Sequence, residues 1–119
     1  MTASGVFPPC PDKPNCVSSQ APDKAHFIDP IRYAGDMRTA REKLVRVLKR
    51  MSGTRIKADQ GDVIQVEFRT PLLRFVDDGM FWFDDVHKVI HVRSASRIGY
   101  SDLGANRRRI ETIRNLFAK

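Results

Sequence analysis

Arginine side chains are concentrated in one stretch of the sequence that could bind an anion. The stretch runs from Arg93 to Arg109 and contains five arginines. Each guanidinium can donate two parallel hydrogen bonds to a carboxylate or phosphate. The stretch is predicted to pass from the end of a strand, through a turn at Gly99, into the first turn of a helix, where unpaired N–H groups also favour an anion. The sequence therefore predicts a site for an acidic group at this turn.

Two further arginines, Arg69 and Arg74, flank the loop 70–73. They could join Arg93 and Arg97 on one face of the sheet if the two predicted hairpins are adjacent. The stretch has neither the GxxxxGK[ST] nor the GxGxxG spacing, so it is not a phosphate loop of a known type. The predicted ligand-binding residues are Arg69, Arg74, Arg93, Ser94, Ser96, Arg97, Tyr100, Ser101, Asp102, Asn106 and Arg107.

The same residues also admit a purely structural interpretation. In that interpretation the turn is a capped helix start, and Arg–Asp pairs to Asp77, Asp78 or Asp102 fix its conformation. Both interpretations use the same guanidiniums. They differ in whether those guanidiniums are engaged by the chain itself or are free for a ligand.

Two cysteines, Cys10 and Cys16, lie six positions apart in a turn-rich segment. A disulfide between them would stabilise the fold by about 2 kcal/mol in the loop-entropy model, but only in an oxidising compartment. The alternatives are inert thiols or a zinc site. Zinc would need two more ligands, and His26 with a nearby aspartate is a poor candidate set. No metal site is predicted.

No catalytic residue can be assigned from motifs. The three histidines lack the HExxH spacing, no GxSxG nucleophile elbow is present, and the cysteine pair is not a redox C-x-x-C motif. Two carboxylate pairs are predicted to lie at turns, where aspartate ends a strand through its own side chain. These pairs are Asp77-Asp78 and Asp84-Asp85.

The elements that must position these residues follow from the spacing of apolar side chains. Apolar residues recur with a 3.6-residue period from Met37 to Met51, which predicts a helix. A second helix is predicted to begin near Ser101 or Asp102 and to bury Leu103. Between the helices, alternation of apolar and polar residues predicts two hairpins. Their predicted strands cover 54–58, 63–69, 79–84 and 87–98.

These elements predict an α+β fold. The sheet is antiparallel with about four strands, the order is arm-α-β-β-β-β-α, and both helices lie on one face. Six of the seven prolines fall in the first 30 residues. Residues 1–36 are therefore predicted to form an extended Pro-rich arm that packs on an α+β core of residues 37–119, as one domain overall.

The net charge of +7 is spread unevenly along the 119 residues. Two basic segments, 37–58 and 87–119, flank an acidic segment, 59–86. No apolar run approaches the ~18 residues that a membrane span needs, and the first nine residues lack the features of an export signal. The predicted location is cytoplasmic. The alternative is an exported or periplasmic protein whose N-terminus is a trimmed mature form.

Three strings resemble the family known as the domain of unknown function 1499. They are Cys-Pro-Asp-Lys-Pro-Asn-Cys-Val-Ser-Ser (10–19), Glu-Phe-Arg-Thr-Pro-Leu-Leu-Arg-Phe-Val-Asp-Asp (67–78), and the string from Val89 to Ile110 that contains the arginine stretch. The resemblance reaches across nearly the whole chain. It implies no particular activity, cofactor or catalytic residue, and many relatives look exported, membrane-anchored or lumenal.

The function predicted from these observations is a non-enzymatic binding module without a cofactor. Its partner would be an anionic small molecule or an acidic protein surface that meets the arginine cluster. One alternative is an enzyme of unrecognised type that uses Tyr100, Ser101, Asp102 or His91 as proton carriers. Another is binding of nucleic acid or an anionic membrane surface by the outer faces of the helices. The side chains of that basic face are Arg38, Arg41, Arg46, Lys49, Arg108 and Arg114.

Overall fold

The protein is an antiparallel sheet packed against two helices. The structure is a computed structural model and describes residues 6–71 and 74–119. The predicted α+β class is confirmed, but within these residues the sheet has six strands rather than about four. The elements in chain order are β1 (Cys16–Ser18), β2 (Ile31–Arg32), α1 (Met37–Arg50), β3 (Thr54–Gln60), β4 (Val63–Arg69), β5 (Val76–Asp84), β6 (Val89–Ser96) and α2 (Ala105–Phe117).

The two additional strands come from the segment predicted to be an arm. The sheet order is β1-β6-β5-β4-β3, and β2 also pairs with β6. β1 pairs with residues 93–95 and β2 with residues 89–90, so both cover the edge of β6 that β5 leaves free. With three and two residues, these strands are too short for alternation of apolar and polar side chains to reveal them. Backbone pairing with the β6 edge defines them instead.

Both helices bury their apolar stripes against the same face of the sheet. α1 contributes the stripe that the 3.6-residue period predicts, and Leu44 and Leu48 are fully buried. α2 contributes Ile110 and Ile113, which are also fully buried. They share one core with Ile64, Val66, Phe68, Phe81, Phe83, Ile90 and Val92 of the strands. Within the described residues, no helix is long and apolar enough to cross a membrane.

The second helix begins later than the sequence predicts. α2 starts at Ala105 because Leu103 and Gly104 both have left-handed backbone conformations, with φ of 54° and 82°. The prediction that Leu103 lies on the buried face is therefore wrong, and its side chain is exposed. Asp102 still caps the helix, since its carboxylate accepts the backbone N–H groups of Gly104 at 2.7 Å and Asn106 at 3.1 Å.

Strand β5 begins at Val76, three residues before the predicted start at Gly79. Gly79 therefore lies within the strand, at a position where any side chain would collide with its neighbours. A Cβ atom would fall 2.5 Å from Cε2 of Phe68 and 2.7 Å from Cγ2 of Val66. The glycine thus allows close packing of the core and does not mark a strand end.

The N-terminal segment is fastened to β6 and β1. Cys10 and Cys16 form a disulfide in the structure, with Cα atoms 5.7 Å apart. Arg93 of β6 donates hydrogen bonds from Nε to the carbonyl of Pro8 at 2.8 Å and from Nη2 to that of Pro9 at 3.2 Å. The disulfide and these hydrogen bonds together tie the N-terminal segment to the edge of the sheet.

His26 ties the disulfide loop to the segment that follows it. Its Nε2 lies 2.8 Å from the carbonyl oxygen of Lys13, and its Nδ1 lies 2.5 Å from Oδ2 of Asp23. Both acceptors are satisfied only when both ring nitrogens carry a proton. The hydrogen bond to Lys13 and then that to Asp23 accordingly raise the pKa of His26 above its ordinary value.

This arrangement leads to a pH-dependent stability. Because the pKa of His26 is higher in the folded than in the unfolded protein, its protonation stabilises the fold. This stabilisation is complete below the unfolded pKa of about 6.5 and is lost as the pH rises through the folded pKa. We expect His26→Gln to lower the free energy of unfolding by about 1 kcal/mol near pH ~5.5 and by clearly less near pH ~8.5. Urea denaturation of both proteins at the two pH values measures this difference. A difference that does not change with pH would contradict the assignment of a charged His26.

Candidate functional site

Three arginines of the predicted cluster are engaged by groups of their own chain. Arg97 binds both carboxylate oxygens of Asp78, at 2.8 and 2.9 Å, and Glu67 at 2.7 Å. The Arg93 guanidinium is fastened to the N-terminal segment. Arg107 donates to the carbonyls of Phe27 at 2.9 Å and Ala25 at 3.2 Å. Arg97, Arg93 and Arg107 therefore bind different parts of the chain, and their predicted convergence with Arg69 and Arg74 stays a prediction.

Four of the predicted polar residues do come together, in a buried network centred on Asn106. The Asn106 side chain is fully buried at the start of α2. Its Oδ1 accepts a hydrogen bond from Ser94 Oγ at 2.6 Å. Its Nδ2 lies within hydrogen-bond distance of Ser96 Oγ (3.0 Å), Asp102 Oδ2 (2.7 Å) and the carbonyl of Asn15 (3.2 Å). This network joins the N-terminal segment, β6 and the start of α2.

Asp102 is held in its charged form by this arrangement. Burial acts to raise the pKa of the carboxyl, but hydrogen bonds from the side chain and backbone of Asn106 and from the Gly104 N–H outweigh that effect. The pKa of Asp102 therefore lies below its usual value. A carboxyl in this state caps a helix well and is a poor proton donor near neutral pH.

A buried ion pair adjoins the network. Asp77 is only 3% exposed and accepts from Arg109 Nη2 at 2.8 Å. Arg109 Nη1 also donates to Asn106 Oδ1 at 3.0 Å, and its guanidinium lies 4.6 Å from the ring centre of Phe68. The prediction that Asp77 and Asp78 lie at a turn is wrong, because both lie in β5. Alternation along the strand buries Asp77 and leaves Asp78 on the opposite face.

Tyr100 and Ser101 lie in the turn between β6 and α2. Tyr100 is exposed, and the Ser101 hydroxyl accepts the backbone N–H of Leu103 at 3.2 Å. Ser101 lines a cavity together with Thr70 and Phe75. Their role in ligand binding stays a prediction.

Arg69 and Arg74 line one cavity together with two arginines of α2, Arg108 and Arg109. We call this the arginine cavity. It has a volume of about 570 Å³ and lies between the end of β4, the loop that follows it, the start of β3 and α2. Leu72 and Leu73 of the predicted loop lie outside the described residues. The remaining lining residues are Met51, Ser52, Gly53, Thr54, Phe68, Thr70, Pro71, Ala105 and Thr112.

The charges in the arginine cavity are unbalanced. Only Arg109 of the four has a carboxylate partner among the described residues. Arg108 uses Nη1 to donate to the carbonyl of Leu103 at 2.7 Å, and the described residues offer no carboxylate to Arg69, Arg74 or Arg108. Residues of the described chain that line the cavity include no aspartate or glutamate. A concave surface of this kind concentrates positive potential.

The alternative basic face on the helices is interrupted by local contacts. Arg38 lies 3.7 Å from Glu42, Arg41 is paired with Asp59, and Arg108 faces the arginine cavity. Arg114 binds Glu111 and two backbone carbonyls. Several guanidiniums of that set are thus oriented by intramolecular acceptors.

The histidine proposed as a proton carrier lies in a separate cluster on the other face of the sheet. His91 stacks on Trp82 with ring centres 5.2 Å apart, and its Nδ1 lies 3.2 Å from Ser19 Oγ. That serine oxygen also accepts the backbone N–H of Val92 at 2.9 Å and is buried. The Ser19 hydroxyl thus stabilises the backbone of β6. In the described part of the chain, no group of three or more His, Cys, Asp or Glu could hold a metal ion.

Arg108 and Arg109 are the two cavity arginines that the sequence did not predict to bind the ligand. They belong to the triplet 107–109, whose members point in directions about 100° apart on a helix. Arg107 therefore reaches the N-terminal segment, while Arg108 and Arg109 line the cavity. Helical periodicity applied to the triplet could have separated them once the helix start at Ala105 was known.

Fold and site together define a small α+β domain with a cationic cavity at one end of an antiparallel sheet. Residues 7–117 match the family model described as "Protein of unknown function (DUF1499)". The match covers nearly the whole chain, and the chain belongs to this family. A search of curated proteins finds no match.

Proposed function

We propose that this chain is a non-enzymatic binding module that recognises a carboxylate or phosphate group in the arginine cavity. The observation that supports the proposal is the presence of Arg69, Arg74 and Arg108 around one concavity without a carboxylate partner among the described residues. Like charges that share a cavity repel each other, and a bound anion relieves that repulsion. Guanidinium groups offer the bidentate donors that carboxylates and phosphates accept.

The backbone at Arg69 is held in place before a ligand arrives. The backbone N–H of Arg69 donates to the carbonyl of Gly53 at 2.8 Å. A Cβ atom on Gly53 would fall 2.5 Å from the carbonyl oxygen of Arg69, so only glycine permits this approach. Arg108 projects from the first turns of α2. Arg69 and Arg108 thus stand on regular elements, and Arg74 lies in the loop between β4 and β5.

The proposed site is narrower than the set predicted from the sequence. Arg69 and Arg74 remain in it, and Arg108 joins them. We assign Arg93, Arg97 and Arg107 to holding the fold, since each one donates to acceptors of its own chain. The polar residues of the Asn106 network position the start of α2, which carries Arg108.

The test is a titration with inorganic phosphate and with acetate at about 0.05 and about 0.3 M NaCl, followed by ¹H–¹⁵N NMR spectra. We expect saturable shifts at the backbone amides around the arginine cavity. Each lost charge-assisted hydrogen bond costs about 1.5 kcal/mol or more, so Arg69→Gln/Arg74→Gln should weaken binding at least about tenfold.

A matched control removes the same charge elsewhere. Arg38→Gln/Arg46→Gln takes two exposed arginines from α1, away from the cavity, and should leave the affinity within about twofold apart from the general effect of net charge. Equal weakening by both double variants, or shifts spread evenly over the surface, would mean that the anions respond to net charge alone. That result would reject the cavity as a specific site.

A further inference from the structure

Exposed apolar side chains cluster beside the arginine cavity. Among the described residues, four large apolar side chains from two adjacent loops are exposed: Phe75 (44%), Ile98 (62%), Tyr100 (69%) and Leu103 (84%). Three of these, Phe75, Ile98 and Leu103, line a second cavity of about 270 Å³. We call it the apolar cavity. Clustered apolar exposure of this kind marks a binding surface more often than scattered single residues do.

The two cavities are neighbours that share part of their lining. Thr70 and Ala105 line both of them, while the consecutive residues Arg74 and Phe75 line one each. The loop between them is closed by hydrogen bonds from Thr70 N to Phe75 O (2.8 Å), from Phe75 N to Thr70 Oγ1 (2.9 Å) and from Arg74 N to Thr70 O (3.1 Å). A single ligand could therefore place a charged group against Arg74 and an apolar group against Phe75.

Charge fixes the orientation of such a ligand. Asp77 and Asp102 line the apolar cavity. Arg109 neutralises Asp77, but Asp102 has no cationic partner among the described residues and would repel an anion there. The arginine cavity, where Arg69, Arg74 and Arg108 have no carboxylate partner among the described residues, attracts an anion. The acidic group is thus directed to the guanidiniums, and the uncharged part to Phe75, Ile98 and Leu103.

We propose that the ligand is a small amphiphilic anion, a single carboxylate or phosphate joined to a short apolar chain or ring. The acid occupies the arginine cavity and the apolar part occupies the apolar cavity. This inference rests on the proposed function and names the class of its ligand. The concave shape and small volume of the apolar cavity suit the short apolar chain of a single dissolved ligand molecule.

The experiment measures binding of acetate, butanoate, hexanoate and octanoate at constant ionic strength by ¹H–¹⁵N NMR titration. Each buried methylene contributes about 0.8 kcal/mol, so we expect the dissociation constant to fall about threefold per added carbon until the chain fills the cavity. Leu103→Ser and Phe75→Ser should flatten this dependence and leave the affinity for acetate unchanged. Arg69→Gln/Arg74→Gln should weaken every member of the series by a common factor.

Val86→Ser is the matched control, because Val86 is 87% exposed and lies in the turn after β5, outside the apolar cavity. It should leave the chain-length dependence intact. Leu103 is the more exposed of the two test positions, so Leu103→Ser keeps the test valid if Phe75→Ser alters the fold. Circular dichroism and thermal unfolding of each variant check that the fold is retained.

The outcomes separate the two proposals. Acetate and phosphate that bind through the arginines, without any dependence on chain length, would overturn the amphiphile and leave the proposed function standing. No binding by any acid or by phosphate would overturn both. The last arm measures binding to vesicles of zwitterionic lipid with and without anionic lipid. Binding to the anionic vesicles, with no soluble acid bound, would mean that the protein binds a membrane surface. That result would overturn the inference of a small dissolved ligand.

Discussion

Asp77→Ala should lower the free energy of unfolding by about 3–5 kcal/mol, because it leaves the Arg109 guanidinium charged, nearly buried and without its carboxylate. Arg109 retains contacts with Asn106 Oδ1 and the Phe68 ring, but neither neutralises its charge. A buried charge that loses its partner is one of the few single changes that destabilise a small domain this strongly. Urea or guanidinium denaturation followed by circular dichroism measures the change.

The neighbouring aspartate provides the control. Asp78 occupies the next position of the same strand, but it lies on the more exposed face and pairs with the half-exposed Arg97. Asp78→Ala should therefore cost much less than Asp77→Ala. In addition, Asp77→Ala/Arg109→Leu should be more stable than Asp77→Ala alone, since the double variant removes the unpaired charge. Equal losses for Asp77→Ala and Asp78→Ala would contradict the account of the buried pair.

Asn106→Ala is expected to have the second largest effect, a loss of about 3 kcal/mol in the free energy of unfolding. The substitution removes the acceptor of the Ser94 hydroxyl and of one guanidinium nitrogen of Arg109. It also removes one of the two donors to the carbonyl of Asn15, which keeps the backbone N–H of Ser96. Buried polar groups left without a hydrogen bond cost about 1–3 kcal/mol each, and some recover a partner within the network. The first turn of α2 should also lose some protection, because Asp102 loses its contact with the Asn106 amide and keeps only its contacts with the backbone N–H groups of positions 104 and 106.

The same helix supplies a matched control in Asn115, which is exposed on the outer side of α2. Asn115→Ala should change the free energy of unfolding by no more than about 0.5 kcal/mol, and alanine favours a helix slightly. Native-state hydrogen exchange would show whether the amides of the first turn of α2 lose protection in Asn106→Ala. A loss no larger than that of Asn115→Ala would mean that the network does not stabilise the fold.

Local patterns in the sequence were sufficient for much of the fold. The stripe from Met37 to Met51 predicts α1, and alternation along 63–69 predicts β4 with its buried face, because these segments are long enough to show a period. β1 and β2 could not be predicted in this way. They contain three and two residues, and pairing with the distant β6 creates them.

The candidate site was harder to predict than the fold, because it depends on side-chain directions at element ends. The start of α2 moved to Ala105 through two consecutive left-handed residues, one of them the non-glycine Leu103, which no propensity favours. That shift set the directions of Arg107, Arg108 and Arg109. Asp77 is buried because β5 begins at Val76. The sequence Asp-Asp-Gly at 77–79 is typical of a turn, so the pattern did not predict a strand there.

Arginine content alone also could not reveal which guanidiniums are free. Arg97 finds two carboxylates on neighbouring strands, and its hydrogen bonds to Asp78 and then Glu67 raise its pKa further above the ordinary value. Arg69 lies near Glu67 in sequence yet has no such partner among the described residues. Cross-strand register decides between these outcomes, since Glu67 faces Arg55 and Asp78 in the sheet.

The most direct test of the central claim observes the cavity guanidiniums themselves. The measurement is a ¹H–¹⁵N spectrum of the arginine Nε–H groups, assigned with Arg69→Gln, Arg74→Gln and Arg108→Gln and titrated with inorganic phosphate. We predict that the Nε–H signals of Arg69, Arg74 and Arg108 shift together along one saturable curve, while those of Arg93 and Arg97, which are already hydrogen-bonded, stay in place. Signals of the three cavity arginines that remain unchanged at saturating phosphate, or that shift no more than those of Arg38 on α1, would contradict it.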